Sequence, residues 1–134
     1  MFPPLFAFLS ASTITGPVLG VGAACRVKPY GEAAADIAKP YAVWQIISGV
    51  PYNTLADIPA GDRVTCQFDV YGDTDAQARA AFEPLRFELE RLGSIVSYHG
   101  NNRDPDTGAY RIGFDWEYVG KRTWTPPSSG GSDD

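Results

Sequence analysis

His99 is the sole histidine of the chain, and it stands beside Gly100 with no Ser or Cys next to it. A general base needs a reacting group in hydrogen-bond reach and a third group to orient it, so His99 reads as a hairpin residue. Asp104 and Asp106 have the spacing that opens a calcium loop, but Pro105 interrupts them and no glutamate closes the motif. A turn held by Asp side chains is the expectation there. Cys25 and Cys66 have apolar residues two positions away, Val27 for the first and Val64 and Phe68 for the second. They read as buried, reduced thiols serving as small hydrophobes, with a disulfide neither required nor excluded. Two Cys and one His do not make the four ligands of a structural zinc site. The glycines of Gly16–Gly22 follow no strand and lack the Lys-Ser/Thr of a phosphate loop. Glu83, Glu88 and Glu90 lie among Arg79, Arg86 and Arg91, with Arg79/Glu83 and Arg86/Glu90 four apart. That spacing predicts a solvated ion-pair face. Nucleophile, base and oxyanion donor do not assemble anywhere, so no catalysis, cofactor or metal is expected.

The elements around these residues follow from periodicity. Pro3-Pro4 opens a short amphipathic helix over Pro3–Ser10, since Pro fits a first helical turn. Thr13–Gly22 reads as a loop or short helical turn. Cys25–Lys28 alternates as a first strand, stopped by Pro29. Tyr41–Ser48 is β-branched and aromatic on both faces, which suits a central strand covered on both sides. Gly49–Gly61 carries two prolines and reads as a long loop, a feature often tied to function. Val64, Cys66, Phe68 and Val70 alternate with polar residues as a half-buried strand. Thr74-Asp75-Ala76-Gln77 is a capping box. It starts a helix over about 74–92 whose residues Ala78, Ala81, Phe82, Leu85, Leu89 and Leu92 share a face. Pro84 predicts a kink in it, and Phe87 points away from the apolar face. Gly93–His99 and Ala109–Tyr118 form a hairpin with an extended tip over Asn101–Gly108, dense in turn formers. Tyr110, Ile112, Phe114, Trp116 and Tyr118 share one of its faces. The fold class expected is α+β: an antiparallel or mixed sheet of about five strands packed on one long helix, plus the short N-terminal helix.

The chain has 134 residues, 44 % of them hydrophobic, enough to build the core of a single domain, assigned to 1–119. Residues 120–134 have no periodicity and read as a flexible C-terminal tail. Met1–Leu9 is apolar, but no Lys or Arg precedes the run, so a helix is preferred to a signal peptide. No stretch approaches the ~20 apolar residues that span a bilayer. A net charge of −5 argues against a dedicated nucleic-acid binder, which carries a basic face. It leaves room for a protein that surrounds DNA without gripping it.

Five segments in order carry a resemblance. They are Arg26-Val27-Lys28-Pro29-Tyr30-Gly31-Glu32-Ala33, Lys39-Pro40-Tyr41-Ala42-Val43-Trp44-Gln45, and Ser48-Gly49-Val50-Pro51-Tyr52-Asn53-Thr54-Leu55. The strand Gln67-Phe68-Asp69-Val70-Tyr71 comes next, and then Arg103-Asp104-Pro105-Asp106-Thr107-Gly108-Ala109-Tyr110-Arg111 running to Phe114-Asp115. Together they resemble the tail-completion, or tail-terminator, proteins of long-tailed bacteriophages, from the N-terminus to about Tyr118.

The resemblance implies an α+β subunit of a homohexameric ring that caps the finished tail tube. It implies a tail tube protein and a head-completion or neck protein as partners, and DNA passing through the lumen without specific binding. It carries no catalytic residues and no membrane, and it places the protein in the virion, at the head-proximal end of the tail. A ring needs one face of each subunit to meet a different face of the next. Candidate interface residues are Tyr30, Trp44, Tyr71 and Phe87, with Tyr52, Asn53 and Leu55 from the long loop, Arg103, Asp104 and Asp106 from the hairpin tip, and Trp124 from the tail. Two other readings stay open: another neck or minor tail protein, and a monomeric α+β domain that encloses a small molecule in an apolar pocket.

Overall fold

A computed structural model describes residues 2–51, 61–121 and 127. Two short helices, α1 (Leu5–Ser10) and α2 (Gly16–Leu19), lead through a 3₁₀ turn (Gly22–Ala24) into β1 (Val27–Pro29). The strands β2 (Tyr41–Pro51) and β3 (Gly61–Gly72) follow, then α3 (Asp75–Leu89), β4 (Ser94–Arg103) and β5 (Tyr110–Lys121). The sheet order is β1-β2-β3-β5-β4, with β1 parallel to β2 and every other pair antiparallel. The fold is α+β with a five-stranded mixed sheet, as the alternation and the capping box predict. No helix among the described residues is long and apolar enough to cross a membrane.

One face of the sheet carries the core. Val64, Cys66, Phe68 and Val70 of β3 lie opposite Tyr118, Trp116, Phe114 and Ile112 of β5. Ala78, Ala81, Phe82, Leu85 and Leu89 of α3 cover them, with Leu5, Leu9 and Leu19 from the N-terminal helices. Phe68 and Phe114 stack at 5.2 Å, and Phe82 meets Phe114 edge-on at 5.4 Å, the geometry aromatic rings prefer. Both cysteines are buried free thiols. Burial pushes the Cys66 thiol up to about 12, which keeps it from ionising. None of the described helices covers the other face of the sheet.

Several boundaries differ from the sequence expectation. The first strand lies at Val27–Pro29, and Cys25 ends the 3₁₀ turn instead. Pro29 is tolerated because β1 is an edge strand. β2 is not a central strand covered on both sides: it is second from the edge, and only Ala42 and Val43 are buried. It runs past Ser48 because Gly49, Val50 and Pro51 pair with Val64, Arg63 and Asp62. Only residues 52–60 of the expected long loop separate β2 from β3, and they lie outside the described residues. β5 likewise continues past Tyr118 to Lys121.

The helix starts where the capping box puts it: the Thr74 hydroxyl accepts from the Gln77 amide at 3.1 Å, and the Gln77 side chain accepts from the Asp73 amide. It runs unbroken through Pro84 and ends at Leu89, three residues earlier than expected. The reason lies in Gly93. A Cβ there would sit 2.2 Å from the Glu117 carbonyl oxygen, so the chain must leave the helix early to pass this close to β5. The hairpin tip is shorter than expected, because Asn101, Asn102 and Arg103 pair with Ile112, Arg111 and Tyr110. The Asp104 amide donates to the Ala109 carbonyl at 2.7 Å and closes the turn.

The expected ion-pair face is also revised. Arg79 pairs with Asp75 and Arg86 with Glu83 and, more loosely, Glu90. Glu88 is not on that face at all: it is buried, takes a hydrogen bond from the Ser12 hydroxyl, and lies 2.7 Å from Arg91 Nη1.

Candidate interface surfaces

Three surfaces carry the side chains that could meet a partner. The first is the helix layer and the loop after β1. Phe87 leaves the outer side of α3 and is 56 % exposed; Tyr30 follows β1 and is 69 % exposed. A large exposed ring is a natural anchor for a partner, since burying it releases apolar surface from water. Phe2 and Phe6, which the sequence did not single out, are also exposed. Trp44 behaves differently: it is partly buried and packs on the core, so it is not a free outward ring.

The second surface is the hairpin tip. Tyr71, Asn102, Arg103, Asp104, Pro105 and Arg111 line a cleft of about 340 Å³. Asp104 Oδ1 accepts from the Asp106 amide at 2.9 Å, so the Asp-held turn forms as expected. Arg103 Nε donates to the Gly108 carbonyl. Tyr71 stacks on Tyr41 with ring centroids 5.0 Å apart. Burial first, and then the charge of Asp69, pushes its phenol above the usual range. The cleft thus gathers Tyr71, Arg103 and Asp104 of the sequence candidates, while Tyr30 and Phe87 stand elsewhere. Tyr52, Asn53, Leu55 and Trp124 lie outside the described residues.

The third surface is the helix-free face of the sheet, and its polar centre was missed. Asp69 is buried there, with Arg111 Nη1 3.6 Å from its Oδ1 and the Gln67 side-chain Nε2 donating to its Oδ2. Gly113 faces Asp69 across the β3–β5 pair; a Cβ at this glycine would lie 2.9 Å from Asp69 Oδ1 and 3.3 Å from His99 Cβ. Only a glycine lets both side chains settle here. Burial pushes the Asp69 carboxyl above its ordinary value, and Arg111 partly offsets this. His99 Nε2 and Asp115 Oδ1 are 2.8 Å apart, and the Ser97 hydroxyl donates to Asp115 Oδ2 at 2.9 Å. The carboxylate stands between the two and accepts the serine hydrogen bond itself. A nucleophilic serine would instead donate to the imidazole, so this trio is an arrangement of surface hydrogen bonds. Among the described residues no group of three or more His, Cys, Asp or Glu could hold a metal. The signal for this cluster in the sequence was present in the alternation of β5, where Arg111 and Asp115 flank Gly113, but the bulge that brings His99 over it was not.

The profile of a family described as tail completion protein gp17 matches residues 5–119. No protein with a curated description matches the chain. A solved structure, "Virion of native gene transfer agent (GTA) particle", contains a chain of similar fold, with a TM-score of 0.55 and 15 % identity over 86 % of this chain and 90 % of that one.

Proposed function

The chain belongs to the tail completion protein gp17 family, and on that premise we propose that it terminates a phage tail. Six copies form a ring on the last layer of the tail tube, stop its polymerisation and present the surface to which the filled head attaches. The protein has no catalytic task in this reading. Its partners are its own copies, the tube protein below and a neck protein above, and it resides in the virion at the head-proximal end of the tail. The observation that carries the reading is the family match over 5–119, which runs from the start of α1 to two residues short of the end of β5.

Two features support the finer parts. The similar chain in the gene transfer agent particle is part of a virion, which accords with a structural place in a particle. The helix-free face of the sheet suits a DNA lumen. Among the described side chains there, Asp69, Asp115 and Glu117 stand against Lys28, Arg63 and Arg111, so carboxylates match cations among them. Arg111 is already engaged by Asp69.

Tail length in lysates of a phage lacking this gene tests the proposal. Overlong, variable, headless tails are expected on electron micrographs. Tails of normal length that fail to join heads would move the protein to another neck position. Normal infectious particles would overturn the assembly role and return the small-molecule domain to the front.

A further inference from the structure

The two edges of the sheet are unlike each other, and each fits the other. At one edge β4 runs for ten residues with no strand beyond it among the described residues, and with neither Lys nor Pro along it. At the opposite edge β1 pairs only with Ala42–Trp44. Among the described residues, the rest of β2, from Gln45 to Pro51, is unpaired on that side. A long open edge invites another strand unless charge, proline or a cover prevents it. Exposed apolar side chains gather at both: Val96 and Tyr98 on β4, Ile47 and Val50 on β2.

We infer that in the ring the sheet continues from copy to copy, with β4 of one subunit pairing against the free half of β2 of the next. This rests on the proposed ring. Strand polarity supports it. β2 and β5 run one way, β3 and β4 the other. The antiparallel strand that extends the sheet past β4 must therefore run as β2 runs. A second copy set head to tail, with its helices on the same side, offers β2 in that direction. The contact joins two different surfaces, as a closed ring requires.

Bulges support it as well. The register shifts at Ile47 in β2 and at Val96 and His99 in β4, so both free segments carry the irregularities that bend a sheet. Bulges concentrate at the rims and corners of closed barrels. They also turn away a flat edge in the wrong register, which explains how an edge without lysine or proline avoids indiscriminate pairing. Closure in this way keeps α1 to α3 outside and the helix-free face inside.

Hydrogen exchange of the full chain, read by mass spectrometry on its ring-bearing and dissociated fractions, tests this. The outward-facing amides of 94–103 and 45–50 are expected to exchange at least about tenfold more slowly in the ring, because they gain hydrogen-bond partners. Exposed-edge charge variants, Val96→Lys and Ile47→Lys, are expected to keep the fold of the single chain and weaken association at least about tenfold. A ring whose two edge segments exchange as fast as in the free chain overturns the inference and leaves the ring intact. A chain that forms no ring, in free solution or on tail tubes, overturns both.

Discussion

The indole Nε1–H of Trp116 donates to the main-chain carbonyl of Leu89 at 2.8 Å. Leu89 is the last residue of α3, and its carbonyl also accepts from the amides of Leu92 and Gly93 at 3.1 and 2.9 Å. A fully buried ring of β5 thus closes the helix end and fixes how α3 meets the sheet. Gly93 completes the joint, since a side chain there would strike Trp116 and the Glu117 carbonyl. Trp116→Phe is expected to cost about 1–3 kcal/mol, because it removes this hydrogen bond and leaves a gap where the larger buried ring stood. Gly93→Ala is expected to cost on the order of 3 kcal/mol, because the obstacle is backbone. Urea denaturation of the two variants measures both.

This joint also shows how far the sequence was readable. The apolar stripe of β5 and the capping box of α3 are local patterns, and both elements appeared where those patterns put them. A glycine after an apolar helical stripe reads as a helix stop, but Gly93 acts for another reason. Its φ is not the left-handed value of a glycine cap; the constraint is its approach to a strand more than twenty residues later. The same separation hid Glu88, whose partner Ser12 lies 76 positions away. It hid the His99–Asp115 pair too, which depends on a bulge. Helical periodicity puts Phe87 on the outside, where it stands, whereas Trp44 is chosen by residue type, and type alone does not show that it is half-buried.

Glu88 holds the N-terminal helices to α3. The Ser12 hydroxyl donates to its carboxylate and accepts from the amides of Ile14 and Thr15 at 3.0 and 3.1 Å. Arg91 reaches the other carboxylate oxygen and also lies over the Phe8 ring. Glu88→Ala is expected to destabilise the fold by about 2 kcal/mol, since Ser12 stays buried without its acceptor. Ser12→Ala removes the same bond, so the double variant should cost clearly less than the sum of the singles. A urea double-mutant cycle reads the coupling, and additive values would refute it.

Asp69 gives stability a pH dependence of known sign. Its carboxyl is raised from 3.8 in the folded chain, chiefly by burial. Between that value and its folded one the native state binds more protons than the unfolded state, so stability falls as pH rises through this window. The contribution is fully present below 3.8 and is lost above the folded value. Asp69→Asn is expected to flatten this part of the curve, seen as melting temperature against pH from about 3 to 7. A variant that keeps the wild-type slope would assign it to another group.

Phe87 and Trp44 separate folding from assembly. Phe87 is more than half exposed, so Phe87→Asp should change stability by no more than about 0.5 kcal/mol. Burial of an exposed ring in a subunit or neck contact would be lost, and head-attached tails should fall in number when the variant replaces the wild-type gene. Trp44 packs against Phe68 and its neighbours from the opposite position on β2. Trp44→Ala should therefore cost about 2–4 kcal/mol of folding stability, because it opens a gap beside the core. Thermal melts of the purified chains and counts of joined particles give the two readouts. A Phe87→Asp chain that folds and joins heads normally removes Phe87 from every interface, and leaves Tyr30 and the edge strands to carry assembly.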